Sequence, residues 1–202
     1  MMLTLEPILY RVAARAMFAP FGGLDTVRRR ALDALGLRPG ARVLELGCGP
    51  GDLTAELVRR GAKVHAVDRS LEMLSVAAKQ APGAELERAD IRSFTASGPY
   101  DAVLIAFVLH ELPVEDIGGV VERAAGALAS GGRLVILDHA LPAGFAGTLW
   151  KAILRGIESR KIDQWLEVDV AAAIEAAGMH TPVSHELADG KAQLIVARSR
   201  SH

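Results

Sequence analysis

Cysteine is almost missing from this chain. Cys48 is the only one among 202 residues, so no disulfide can form within it. That usage fits a reducing compartment, and a cytoplasmic location is the expectation. An excess of either charge is missing as well. The 23 basic and 24 acidic residues leave a formal net charge of −1 and a pI near 6.6, which is no electrostatic footprint for nucleic acid. Arg28-Arg29-Arg30 is a local basic run, and a solvated helix face explains it more simply than a phosphate site. Long apolar stretches are absent too, although half of the residues are hydrophobic. The longest candidate, Val103–Leu109, falls far short of the roughly 18 residues of a membrane helix and suits a buried parallel strand. Near the N-terminus, Glu6, Pro7 and Arg11 interrupt the apolar residues and no basic start precedes them, which argues against a secretion signal.

What is present is alternation. From about residue 41 short β-rich runs alternate with helical patterns, as in a parallel α/β sheet. The predicted strands are Arg42–Leu46, Lys63–Val67 ending at Asp68, Ala84–Arg88, Tyr100–Phe107 and Arg133–Leu137. Helices are predicted over Leu53–Arg60, stopped by Gly61, and Leu71–Gln80, where Ser70 can act as N-cap. Another starts near Pro113 and reaches about Leu128. A fourth covers Asp169–Ala177, with Gly178 just past its end. Thr181–Leu187 and Gln193–Arg198 flank Asp189-Gly190, a hairpin signal. The simplest organisation is one domain over residues 1–202. It comprises an N-terminal helical lid or cap (1–40), a core (41–140), and an acceptor-side helical insertion with the terminal hairpin (141–202).

The most informative stretch is Val43-Leu44-Glu45-Leu46-Gly47-Cys48-Gly49-Pro50-Gly51-Asp52. It is a strand that runs into a glycine-rich turn and then a helix, and glycine lets the backbone approach a ligand where a Cβ would intrude. A dinucleotide fingerprint would need a glycine at position 52. The chain has Asp52 there, and its third glycine comes one residue early. The run E-L-G-C-G-P-G resembles motif I of class I S-adenosylmethionine-dependent methyltransferases. Asp68, Asp90-Ile91, the apolar strand from Tyr100, Gly131-Gly132-Arg133-Leu134 and the terminal hairpin follow in the order of that family. The resemblance is strong over about residues 41–137. It implies an α/β, Rossmann-like seven-stranded sheet, mostly parallel with a C-terminal antiparallel hairpin, helices on both faces, and S-adenosyl-L-methionine as cofactor.

Carried over position by position, the resemblance implies that Gly47, Cys48, Gly49 and Gly51 pass under the amino-acid head and ribose, with Glu45 near the ammonium. Asp68 would accept from both ribose hydroxyls, and Arg69 and Met73 would flank the adenine. Asp90 would accept from the exocyclic amine while the Ile91 amide addresses a ring nitrogen. Ala106 and Phe107 would line the methionine side. A plainer reading stands beside several of these. Glu45 could cap strand-end amides, Met73 and Phe107 could be core, and Cys48 could be no more than a small side chain between glycines.

On the acceptor side His110, directly after the fourth strand, is a candidate base or orienting group, and His139 faces the same rim. The plain alternative for His110-Glu111 is that they start the next helix. The spacings of His110, Glu111, Asp138 and His139 match no standard ligand pattern, so no metal is expected. The segment after the fourth strand, Ala106-Phe107-Val108-Leu109-His110-Glu111-Leu112-Pro113, is not of the [DN]-P-P-[FY] type. With no basic surface either, the expected acceptor is a small molecule: a phenol, a quinol precursor, an amine or a lipid headgroup. The arrangement is similar to ubiquinone/menaquinone-biosynthesis methyltransferases and phospholipid N-methyltransferases. Pro7–Phe18 reads as an amphipathic helix, either a lid or a peripheral membrane contact. Two competing functions remain: NAD-dependent hydride transfer, opposed by the glycine spacing and the hairpin, and a cofactor-binding module that transfers nothing.

Overall fold

The computed structural model describes residue 12, residues 15–157 and residues 161–200. Seven strands form one sheet: β1 (Arg42–Leu46), β2 (Lys63–Asp68), β3 (Glu85–Arg88), β4 (Tyr100–Ala106), β5 (Leu128–His139), β6 (Val183–Leu187) and β7 (Ala192–Arg198). Their order is β3-β2-β1-β4-β5-β7-β6. The first five are parallel, and β7 runs antiparallel to both β5 and β6. Among the described residues they are accompanied by helices α1 (Leu24–Ala34), α2 (Asp52–Arg59), α3 (Leu71–Gln80), α4 (Val114–Gly126), α5 (Gly144–Ile157), α6 (Ile162–Trp165) and α7 (Val170–Ala176). Among the described residues none of them is long and apolar enough to cross a membrane.

The apolar runs of the central strands split by alternation onto the two faces of the sheet. Val103, Ile105, Leu134 and Ile136 pack with Ile117, Val120 and Val121 of α4, Ile174 of α7, and Trp150 and Trp165. Leu104, Val135 and Leu137 face the other way, toward Val27 and Ala31 of α1 and Leu53 and Leu57 of α2. Burial on both faces is why these strands read as continuous hydrophobic runs. The sheet order reverses between β1 and β4, so a crevice opens beyond the carboxyl ends of those strands, where α/β folds bind ligands.

Local signals mostly sit where the chain places its boundaries. The Ser70 side chain accepts from the Met73 amide at the start of α3, and Asp169 caps α7 by accepting from Ala172 N–H. The β6–β7 turn holds Ala188, Asp189 and Gly190 at positive φ. Three readings need correction. β4 stops at Ala106, because Phe107 takes a left-handed φ of 54°. β5 begins at Leu128, ahead of Gly131-Gly132. Tyr100 pairs with Leu128 and Ala102 with Arg133, so the glycines lie in an irregularity of the ladder. Arg28 is no solvated residue: its guanidinium lies 3.1 Å from Asp52, and both side chains are largely buried. The Pro7–Phe18 helix falls mostly outside the described residues. Of its C-terminal end, Phe18 is buried.

Candidate active site

Five residues, Gly47 to Gly51, connect β1 to α2. Gly47, Gly49 and Gly51 all have positive φ, at 76°, 54° and 84°, so each needs glycine for backbone reasons alone. Their missing side chains serve different ends. A Cβ on Gly47 would lie 2.6 Å from a methyl of Val108, and one on Gly51 would lie 2.8 Å from the Ala77 backbone of α3. A Cβ on Gly49 would meet nothing within 4 Å. Gly47 and Gly51 therefore let the loop pack on Val108 and α3, while the space beside Gly49 is open.

Asp68 ends β2 and ties the loop to it. One carboxylate oxygen accepts the Gly49 N–H at 2.8 Å and the other accepts the Ser70 N–H at 2.8 Å. These two bonds orient the half-buried carboxylate beside the loop, and each oxygen keeps a further lone pair. Glu45 lies beneath the loop, 2% exposed, accepting from the Thr54 hydroxyl at 2.7 Å. Burial pushes its pKa up to about 7, against the lowering effects of the Thr54 hydrogen bond and the Arg28 charge. Burial likewise pushes the Cys48 thiol well up, which makes it an inert small side chain.

On the adenine side expected from the sequence, Met73 is half-buried and Ile91 is packed in the core. Asp90 is gripped by the Arg92 guanidinium, with Nη2 at 2.6 Å and Nε at 3.0 Å. That bond, outweighing a small burial effect, holds its pKa down at about 2. The Arg69 guanidinium lies 3.6 Å from Glu111. Because β1 lies between β2 and β4, this pair spans the crevice mouth.

On the far side of the crevice the left-handed Phe107 turns the chain out of β4 into a 3₁₀ turn, Leu109–Glu111. His110 sits in that turn, not at a helix start, and is 3% exposed. Its Nδ1 lies 2.6 Å from Asp138 at the end of β5. The His139 ring is 4.7 Å from His110 between centroids, and it packs on Phe107 and Phe18. Trp150 of α5 meets Phe18 edge-on. Helix α6 braces both turns: Lys161 Nζ donates to the Glu111 carbonyl, and Trp165 Nε1 donates to the His139 carbonyl. The sequence pointed to no site role for Thr54, Arg92 or Trp165, to Asp138 only as a metal ligand and to Arg28 only in a phosphate site. Only the proximity of Asp138 to His139 offered a local hint.

A seven-stranded sheet in this order, with a glycine loop after β1 and a carboxylate closing β2, defines the methyltransferase class of α/β fold. Residues 43–132 match the family model described as a methyltransferase domain. An uncharacterized methyltransferase of Synechocystis is 27% identical over 195 residues, covering 96% of this chain and 92% of that protein. The demethylmenaquinone methyltransferase of Tropheryma whipplei is 30% identical over 190 residues, 83% of this chain and 78% of its own length. The crystal structure of magnesium protoporphyrin IX methyltransferase from Synechocystis, with bound SAH, has a TM-score of 0.66 at 24% identity. That similarity covers 87% of this chain and 82% of the other. The chain belongs to the S-adenosylmethionine-dependent methyltransferase family.

Proposed function

We propose that this chain methylates a small-molecule acceptor, with the crevice between β1 and β4 holding S-adenosylmethionine. The observation that carries this reading is the open side of Gly49 next to the fixed Asp68 carboxylate. Bare backbone at that point fits a ligand that passes against the loop. The oriented carboxylate fits a vicinal diol, one lone pair of each oxygen meeting one hydroxyl. S-Adenosylmethionine supplies an activated methyl group, so the protein's own task is alignment and proton management.

In this reading Gly47, Cys48, Gly49 and Gly51 form the floor, and Asp68 binds the ribose. Arg69 and Met73 border the base, and Asp90 and Ile91 approach it from the β3 side. Ala106 and Phe107 border the methionine end. Glu45 acts from below, by tying the end of β1 to α2 through Thr54. His110 is the base, and the acceptor lies against Phe107, His139 and the segment carrying Phe18. That segment packs over the rim through aromatic contacts, which favours a lid over a membrane contact.

Calorimetric titration with S-adenosylmethionine tests the donor side. Asp68→Ala is expected to weaken binding at least tenfold, since charge-assisted hydrogen bonds contribute about 1.5–3 kcal/mol each. Unchanged affinity would remove Asp68 from the site. A screen for S-adenosylhomocysteine release over phenols, quinol precursors, amines and aminophospholipids tests the acceptor side. Binding without release from any of them would favour a module that transfers nothing.

A further inference from the structure

We propose that Lys191 and Trp150 anchor an anionic oxygen group of the acceptor, set apart from the atom that receives the methyl group. The inference rests on the methyl-transfer reading above and adds to it two recognition residues and an acceptor class.

Trp150 of α5 is 3% exposed, and its Nε1–H has no hydrogen-bond partner among the described residues. Folded chains seldom leave a buried donor unmatched, because it gives up water and gains nothing in return. Trp165 makes the contrast: its indole N–H is buried as well and donates to the His139 carbonyl at 2.9 Å. An indole nitrogen can only donate. What Trp150 lacks is therefore an acceptor atom.

Lys191 brings a cation to the same place. It is 8% exposed, and a lysine is rarely so buried unless paired. Its Nζ lies 3.7 Å from the centre of the Phe21 ring and 6.0 Å from that of Trp150. Among the described residues it joins no ion pair, and its hydrogen-bond acceptor is the Ala188 carbonyl at a long 3.5 Å. The ring faces offset part of the lost hydration, but they leave the three N–H bonds of the ammonium short of acceptors. A group with two anionic oxygens answers both needs. At the separation of Nζ from the Trp150 ring, one carboxylate or phosphate can accept from the ammonium and from the indole together.

The pair belongs to the acceptor rim. Ala192 pairs with His139 at the carboxyl end of β5, and the Ala140 N–H donates to the Lys191 carbonyl. Trp150 meets Phe18, and Phe18 meets Phe107, so two ring contacts separate the anchor from the methionine end. The anion is thus a handle and not the methylated group. The half-buried Phe21 ring touches both donors and is what an entering anion displaces. Gly22 and Gly23 follow it at positive φ, with open space where a Cβ would stand.

The chain has two tryptophans, so nitrogen-15 NMR of tryptophan-labelled protein shows two indole signals, which Trp150→Phe assigns. Benzoate and phenyl phosphate are the probes, and benzamide is the uncharged control. Benzoate, phenyl phosphate or both should move the Trp150 indole proton downfield and leave that of Trp165 in place; the stronger binder tells carboxylate from phosphate. Benzamide should bind at least about tenfold more weakly. Lys191→Met keeps a flexible side chain against the rings. It should retain thermal stability and weaken the anion at least about tenfold. With the acceptor found in the turnover screen, it should raise KM at least about tenfold and change kcat less than about threefold, since a remote handle serves ground and transition states alike. A Trp150 signal moved by neither anion, equal binding of benzamide, or unchanged anion affinity or KM in Lys191→Met would overturn the proposal. Should Lys191→Met fail to fold, the wild-type titrations still decide it. A protein that binds these anions but not S-adenosylmethionine would instead defeat the methyl-transfer reading and leave the anion site standing.

Discussion

Single residues in the loop after β1 divide into those that hold it in place and those that face a ligand, and the two groups should respond differently to substitution. Gly51→Ala combines a positive φ with a Cβ placed 2.8 Å from the Ala77 backbone, so it should cost about 3 kcal/mol in chemical denaturation. Gly49→Ala has only the conformational cost, about 1 kcal/mol, but should weaken S-adenosylmethionine at least tenfold by filling the open side of the loop. Equal stability losses would contradict this division. Glu45 gives a pH signature. Its folded-state pKa of about 7 lies above the ordinary 4.5, so between those values the folded chain holds a proton that the unfolded chain has released. Stability from this residue is therefore highest at low pH and falls as pH rises through about 7, by up to about 3 kcal/mol. Unfolding measured from pH 4.5 to 8 should show that slope in the wild type and lose it in Glu45→Gln.

At the scale of elements, the acceptor side is assembled from pieces distant in sequence. Phe18, ahead of α1, is almost fully buried against Phe107, His139 and Trp150. Phe18→Ala should cost about 3–5 kcal/mol and should disturb acceptor KM more than S-adenosylmethionine affinity, because its aromatic partners among the described residues are Phe107, His139 and Trp150. Helix α6 shows a second such dependence. It has only four residues, yet Trp165 and Lys161 brace the turns after β5 and β4. The α5 segment carrying Trp150 splits in the same way, with Trp150 buried and Phe145 84% exposed. No local pattern separates those two residues. Several strand and helix boundaries, by contrast, were legible. Ser70 caps α3, Gly178 follows α7, and Asp189-Gly190 turns between β6 and β7, because each is a local backbone preference that needs no partner from elsewhere.

For the whole molecule, a cofactor that binds only the folded state should stabilise it by mass action. At about 100 times its dissociation constant S-adenosylmethionine should add about 2.7 kcal/mol, or roughly 5–10 °C in Tm for a chain of this size. NAD at the same concentration should leave Tm unchanged; the reverse ranking would revive the hydride-transfer reading. By itself the sequence determined the alternation of strands and helices, the early third glycine, and Asp68 at the end of the second strand. These are short-range properties of backbone and spacing, and they sufficed for the fold class and the donor. Only the tertiary structure decided that Gly47 and Gly51 face protein while Gly49 faces space, and that Arg28 reaches Asp52. It alone placed Thr54 on Glu45 and Asp138 on His110. Each of these contacts joins residues that lie many positions apart, and they meet only once the parallel sheet has brought the ends of its strands to one rim.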